Sequence, residues 1–489
     1  MDELMGRLAE VSDLQSASTL LAWDQEICMP PAGAAARSEL RATVGRLGHE
    51  RFIDERVGEL LAAARPRDEI EADVVRIVGR DHEKSRRVPT ELVAEMTRAA
   101  ATARAAWAKA RAESDFASFA PHLEHNVDLR RRYSACFPEA EHVYDPLLDD
   151  FEPGATTAQV RATLERLRDG LVPLEAAAPE IDDSLLHAGP FPEDGQRRLL
   201  DRVLHALGVD DEAWRLDVAA HPFAVSPAVG DVRLTTRFVD DGLESLFAGV
   251  HEFGHGLYEH QVDPALARTG LGSGASSAWH ESQSRMWENM VGRSPGFWRW
   301  CFPHLRDCLP EPFAAHSWEE VHRAVNAVRP GLIRVNADEV TYCLHIVLRF
   351  ELELALIEGE LAVADLPAAW QERTRAYLGL DVPDDAHGVL QDIHWAEGIF
   401  GYFPTYALGN VIGGQLWARI RAELPDLDER FAAGDFAPLR AWLGEHVHRH
   451  GRRMLPGELL ERTVGGPLDP GPYLAYLEEK VRASAALMP

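Results

Sequence analysis

Apolar positions in the first part of the chain recur at helical steps. Leu4, Leu8, Val11 and Leu14 lie three or four residues apart, a spacing that gathers side chains on one face of an α-helix. Residues 1 to about 150 continue in this way. The stretch 68–112 is rich in Ala, Arg and Glu, which lose little side-chain freedom in a helix. Pro30, Pro31 and Gly33 interrupt the pattern and predict a turn. Thr157, just ahead of AQVRATLERL, predicts an N-cap. Residues 176–196 mix Pro, Gly and acidic side chains and predict a loop. The period changes once. Over 222–240, short alternating segments flank a Gly-Asp turn, which predicts a small β-hairpin. Helical patterns resume at Gly242 and run nearly to the end. The chain therefore reads as mainly α with a minor sheet. No repeat or strong compositional break divides the 489 residues, so one large domain is expected. Within it, 1–220 forms a helical N-terminal part and 221–489 carries the candidate chemistry.

Composition narrows the function. With 46% apolar and 26% charged residues, a large core can form without disulfide staples. The formal net charge of -29 disfavours partners with phosphate backbones or anionic headgroups, so neither nucleic acid nor a membrane surface is expected. Cys28, Cys136, Cys301, Cys308 and Cys343 are scattered, odd in number and form no C-x-x-C pair. They predict reduced thiols and a cytoplasmic location. The acidic, amphipathic start does not resemble a signal peptide. No apolar run reaches the roughly 18 residues that a membrane span requires.

The chemistry concentrates in LFAGVHEFGHGLYEH. On a helix, His251 and His255 share a face and can ligate one metal ion, while Glu252 stands beside them to take a proton from water. Leu246, Phe247 and Val250 favour a buried helix. With 21 histidines in the chain, a bare H-E-x-x-H can arise by chance, so a third ligand has to follow. The metzincin continuation H-x-x-G-x-x-H is absent after His255. About two dozen residues on, WHESQSRMWE offers Glu281 on a second helix, with Glu288 two turns later as a fallback. The intervening GLGSGASSA is small and Gly-rich, as expected of a loop near a cleft.

At these residues the sequence resembles the carboxypeptidase Taq family of metallocarboxypeptidases, over almost the whole chain. The shared strings are WDQE at Trp23–Glu26 followed by Met29-Pro30, HPF at His221–Phe223, and D-x-R-x-T at Asp231–Thr235. They continue with the H-E-x-x-H, HESQ at His280–Gln283, IRVNAD at Ile333–Asp338 and GVLQDIHW at Gly388–Trp395. Phe253 stands where smaller residues are usual, and is expected to narrow the cleft floor. The resemblance implies a helical body split by a deep groove, with His251, His255 and Glu281 as ligands and Glu252 as base. It implies a homodimer, and removal of single C-terminal residues with broad preference and poor action at proline.

A carboxypeptidase has to grip a free carboxylate, which Arg does with paired hydrogen bonds. Arg334 is the first candidate and Arg233 the second, unless Arg233 pairs with Asp231. Arg349 reads as a helix ion-pair partner of Glu351 or Glu353. Tyr402 or Tyr406 is expected to donate to the oxyanion. His394 and His221 are candidates for the substrate backbone. Asp338 or Asp392 is expected to fix a ligand imidazole. Zinc is the expected metal, with cobalt or manganese compatible with the same donors. An oligopeptidase or dipeptidyl carboxypeptidase would share this site and differ in how the chain end is held. Two other classes stay open. Four Glu-x-x-His pairs (Glu139/His142, Glu252/His255, Glu319/His322, Glu445/His448) allow a helical di-iron protein. A helical interaction protein with a structural metal is the non-enzymatic reading, although such sites are usually Cys-rich. The run His446–His450 reads as a solvated helix face.

Overall fold

The structure, a computed structural model, describes residues 1–486. Helix accounts for 66% of the chain and strand for 3%, so the mainly α expectation holds. Residues Asp2–Ile27 form the first helix, with Leu4, Leu8 and Val11 buried along one stripe. It ends before the expected turn, where Pro31–Gly33 make a single 3-10 turn. The Ala/Arg/Glu-rich stretch is two helices, Glu69–Arg87 and Thr90–Glu113, because Pro89 bars continuation from Val88. The helix Thr157–Ala176 is capped one residue earlier than expected. The Thr156 hydroxyl accepts the Gln159 N–H, while Thr157 turns to Asp145. The loop expected to last until 196 ends at Glu193, where the helix Glu193–Leu207 begins.

The sheet has three strands, one more than a hairpin. β1 (Trp214–Val218) pairs parallel with β3 (Asp231–Thr236), and β3 pairs antiparallel with β2 (Ala224–Ala228), giving the order β1-β3-β2. The hairpin β2–β3 and its turn at Gly230, with φ +87°, are the part the alternation revealed. β1 pairs through a crossover, which leaves no adjacent turn residues to betray it. A second departure lies at 379–402. This segment is irregular and sits between the helices Leu366–Leu378 and Phe403–Glu423. Gly398 and Gly401 take positive φ there, and the buried Glu353 accepts hydrogen bonds from Gly401 N and Trp395 Nε1.

Two apolar cores hold these elements. The larger draws side chains from Leu92 to Leu477, across the expected boundary at 220. A smaller one joins Leu4, Leu8, Val57, Val74, Ile77 and Val78 to Val262, Leu266 and Leu271. Through it the N-terminal helices clasp the segment that follows the H-E-x-x-H helix. That helix, Glu244–His260, packs its apolar side on the sheet, where Phe253 stacks on Trp214 at a centroid distance of 5.6 Å. Phe253 is fully buried and also meets Trp287 edge-on. It fills the core beneath the helix and does not form the cleft floor, contrary to expectation.

Two glycines set the spacing of the central helices. A Cβ at Gly254 would stand 2.5 Å from the Gln283 carbonyl oxygen, and one at Gly409 would stand 2.7 Å from Glu281 Cβ. The helix Ser277–Arg285 is thus pressed between Glu244–His260 and Phe403–Glu423 with no room for a methyl group on either side. Gly254→Ala is expected to cost about 1–3 kcal/mol or more in denaturant unfolding, because the backbone it meets cannot rotate away. Gly457→Ala, on a helix with open space around it, is expected to be neutral or stabilising by up to about 1 kcal/mol.

Candidate active site

The helix Glu244–His260 turns Leu246, Val250, Phe253 and Leu257 into the core, which aims His251, Glu252 and His255 into a cleft. The partner helix Ser277–Arg285 is fixed at its start. The Ser276 hydroxyl caps Trp279 N, Phe151 O accepts from Ser277 N, and Glu152 accepts from Ala278 N. From its second turn Glu281 reaches the same point. His251, His255 and Glu281 each present one ligand atom, all within 4.8 Å of one another. Glu281 Oε2 lies 3.8 Å from His251 Nε2 and 3.6 Å from His255 Nε2. A tetrahedral ion with bonds of about 2.0–2.1 Å wants its donors about 3.4 Å apart, so a small contraction completes the fit. Among the described residues no other group of three such side chains gathers, and the four Glu-x-x-His pairs do not assemble into a second centre.

Hydrogen bonding already selects the ligating atoms. Glu288 Oε2 accepts from His251 Nδ1 at 2.8 Å, which leaves Nε2 free to face Glu281. Glu288 is therefore the carboxylate that orients the imidazole of the candidate ligand His251, the task expected of Asp338 or Asp392. Asp338 instead caps the turn at Val340 and Thr341, and Asp392 binds two arginines. Arg285 Nε donates to Glu281 Oε1 at 2.7 Å, and its Nη1 donates to Glu288 Oε2 at 3.1 Å. Neither Arg285 nor the orienting role of Glu288 was found from the sequence. Their spacing from Glu281, four and seven residues on one helix, was the available signal.

Burial and charge divide the titratable groups. Burial pushes Glu252 up to about 7, and the neighbouring Glu281 and Glu288 charges add to this. Burial opposes ionisation of Glu288 too, but Arg285 and His251 outweigh it and hold that carboxyl down at about 2. Burial holds His255 well below its ordinary range. For His251 burial is outweighed by the Glu288 hydrogen bond and the adjacent carboxylates, which raise it. The pocket thus draws positive charge to His251, where a bound cation would take the place of a proton.

The cleft encloses about 880 Å³ and is bounded by the motif helix, strand β2, and the segments around Arg334 and Tyr402. Arg334 is buried at 7% exposure, yet it lines the cleft. Its Nε and Nη2 donate to Asp392 Oδ1 at 2.9 and 2.8 Å, and Nη1 faces Tyr342 Oη. The other Asp392 oxygen accepts from Arg349 Nε at 2.7 Å. Arg349 is fully buried in this bridge and does not pair with Glu351 or Glu353 on its own helix, as had been expected. Tyr402 and Tyr406 both line the cleft, and burial pushes Tyr402 up to about 12, so it enters as a hydroxyl donor. His394 sits behind them, with Nε2 3.2 Å from Tyr406 Oη. His221 is exposed beside the lining residues Pro222 and Phe223. Arg233 makes two bonds to Asp231 and lies over the Trp23 ring, away from the lining. His448, expected on a solvated face, is fully buried between Gln261 and Gln283.

A His-Glu-x-x-His helix met by a third donor, the carboxylate of a second helix, in the cleft of a helical body, defines a helical metallopeptidase. Residues 3–481 match the family model of carboxypeptidase Taq (M32) metallopeptidases. The chain belongs to that family and is a metal-dependent carboxypeptidase. Thermostable carboxypeptidase 1 of Thermus thermophilus is 40% identical, covering 97% of this chain and 96% of that protein. Carboxypeptidase 1 of Bacillus subtilis is 36% identical over 98% and 97%. The crystal structure of an M32 carboxypeptidase from Deinococcus radiodurans matches with a TM-score of 0.96 at 39% identity, covering 99% of each chain.

Because Glu288 fixes the His251 ring, Glu288→Ala is expected to weaken divalent metal binding about 10- to 100-fold. Chelator competition on the purified protein measures this.

Proposed function

We propose that this enzyme removes single residues from the C-terminus of peptides, with a divalent ion held by His251, His255 and Glu281. The observation that carries the reading is the Arg334 guanidinium, held rigid by Asp392 on the wall of the same cleft as the histidine–carboxylate set. A buried arginine there can take the terminal carboxylate through its remaining N–H groups, which fixes the scissile bond one residue in. Zinc is the proposed metal, since two imidazoles and one carboxylate with an open position are its usual catalytic set; cobalt and manganese fit the same donors. Such an ion supplies Lewis acidity toward the peptide carbonyl and toward water.

The protein groups do the rest. Glu252, held near neutrality in its affinity for protons by burial, takes a proton from the attacking water. It then delivers that proton to the leaving amine. Tyr402 or Tyr406 donates a hydroxyl hydrogen bond to the oxygen that gains negative charge. His394 supports Tyr406 from behind, while His221 and Arg233 stay at the margin. Broad side-chain preference is supported by a lining of small and polar residues such as Ala224, Ser226, Ser273 and Gly274. Poor action at proline and a homodimer are carried over from family likeness. A cytoplasmic location is supported by five free cysteines. No helix among the described residues is long and apolar enough to cross a membrane.

Mass spectrometry of an N-terminally blocked peptide tests the reading. Stepwise loss of single residues, stopped by chelator and restored by metal, is expected. Loss of residue pairs or internal cuts would move the enzyme to the dipeptidyl or oligopeptidase alternative. Glu252→Gln is expected to lower kcat about 10²- to 10⁴-fold with unchanged metal content. Arg334→Met is expected to act mainly on KM for substrates with a free carboxylate.

A further inference from the structure

Glu281 has two oxygens and only one faces the histidines. Oε2 is the atom 3.8 and 3.6 Å from the two Nε2 atoms, and Ser284 Oγ donates to it at 3.1 Å. Oε1 is taken by Arg285 Nε at 2.7 Å. Arg285 cannot readily let go. Its guanidinium is half-buried in the cleft wall, stacks 3.9 Å from the centroid of the Tyr342 ring, and donates from Nη1 to Glu288 Oε2 at 3.1 Å. That same Glu288 oxygen accepts from His251 Nδ1. One rigid planar cation therefore braces two members of the ligand set, Glu281 directly and His251 through Glu288.

We infer that Arg285 is a positioning residue that confines Glu281 to a single ligating oxygen. The inference rests on His251, His255 and Glu281 being the metal ligands. A carboxylate free at both oxygens can chelate an ion and fill a further coordination position. A catalytic site needs that position open for water and for the substrate carbonyl. Arg285 keeps it open by occupying Oε1. Its charge also offsets one of the two carboxylates, Glu281 and Glu288, that stand beside the histidines, so less of an ion's Lewis acidity is neutralised.

Cobalt substitution reads the coordination number without reference to turnover, since the visible absorption of cobalt weakens as oxygen donors are added. In Arg285→Gln the band is expected to weaken, with kcat falling more than KM rises and with the protein still binding cobalt. Arg285→Lys retains a cationic donor to Oε1 and is expected to keep the wild-type band. A folded, cobalt-loaded Gln variant with the wild-type band would overturn the inference. If the Gln variant does not fold, X-ray absorption and a crystal structure of the metal-loaded wild type decide the matter. Glu281 Oε1 beyond bonding distance is expected, and Oε1 bonded to the ion overturns it. A distinct result, an unchanged cobalt spectrum in Glu281→Ala, would overturn the ligand assignment itself.

Discussion

Everything at this site depends on how closely three helices can approach. The helix bearing Glu281 is held between the H-E-x-x-H helix and Phe403–Glu423, with Gly254 on one side and Gly409 on the other. A Cβ at Gly254 would strike the Gln283 and Ser284 backbone and one at Gly409 would strike Glu281 Cβ and Cγ, so the distance between Glu281 and the two histidines is set by close helix approach, through main-chain contact on the Gly254 side. Main-chain contact is stiffer than side-chain contact, because no rotamer can absorb a displacement. The glycine within the H-E-F-G-H string thus helps set the geometry of the candidate metal site, although its own atoms offer no ligand. The residue before it, Phe253, points the other way and ties the same helix to the sheet through Trp214.

On that frame, charge is distributed so that similar groups behave differently. Glu252 and Glu288 are both buried carboxyls within one helical turn of His251 or its hydrogen bond. Glu288 meets Arg285 and His251 and stays ionised, whereas Glu252 lacks such strong compensation and holds a proton near neutral pH. One is suited to orient a ring and the other to carry a proton, a separation made by surroundings and not by residue type. The far wall repeats the principle with a different outcome. Asp392 lies between Arg334 and Arg349, so one carboxylate serves two guanidiniums and the exposed edge of Arg334 is fixed in direction. Burying such a cluster stabilises little by itself. Its consequence is geometric, a guanidinium held in one orientation on the cleft wall, as the proposed carboxylate grip requires.

The candidate trio that the structure brings together could be grouped from the sequence because a helix converts spacing into direction. His251 and His255 at four residues, and Glu281 in a second string with helical character, needed no knowledge of the fold to be grouped. The mainly α class followed from the same periodicity. What stayed hidden depends on contacts between distant segments. β1 pairs in parallel with β3 and has no turn beside it to announce the pairing. Arg349 looked like a partner for its own helix, but the irregular segment 379–402 carries Asp392 back to it. His448 looked solvated because it stands in a run of mostly polar, basic residues, while its own side chain enters the core between two glutamines. Arg285 stands at helical spacing from Glu281, but an arginine is no metal ligand, and spacing alone does not separate a brace from a surface ion pair.

One ion is proposed to sit between His251, His255 and Glu281, with Glu252 beside it and unbonded to it. A crystal structure of the metal-loaded protein, with anomalous scattering recorded at the metal's absorption edge, tests this most directly. The account expects one strong anomalous peak, bonded to both Nε2 atoms and to Glu281 Oε2. A peak coordinated by Glu252 or Glu288 in place of Glu281, or a peak elsewhere in the chain with none at this trio, would contradict it.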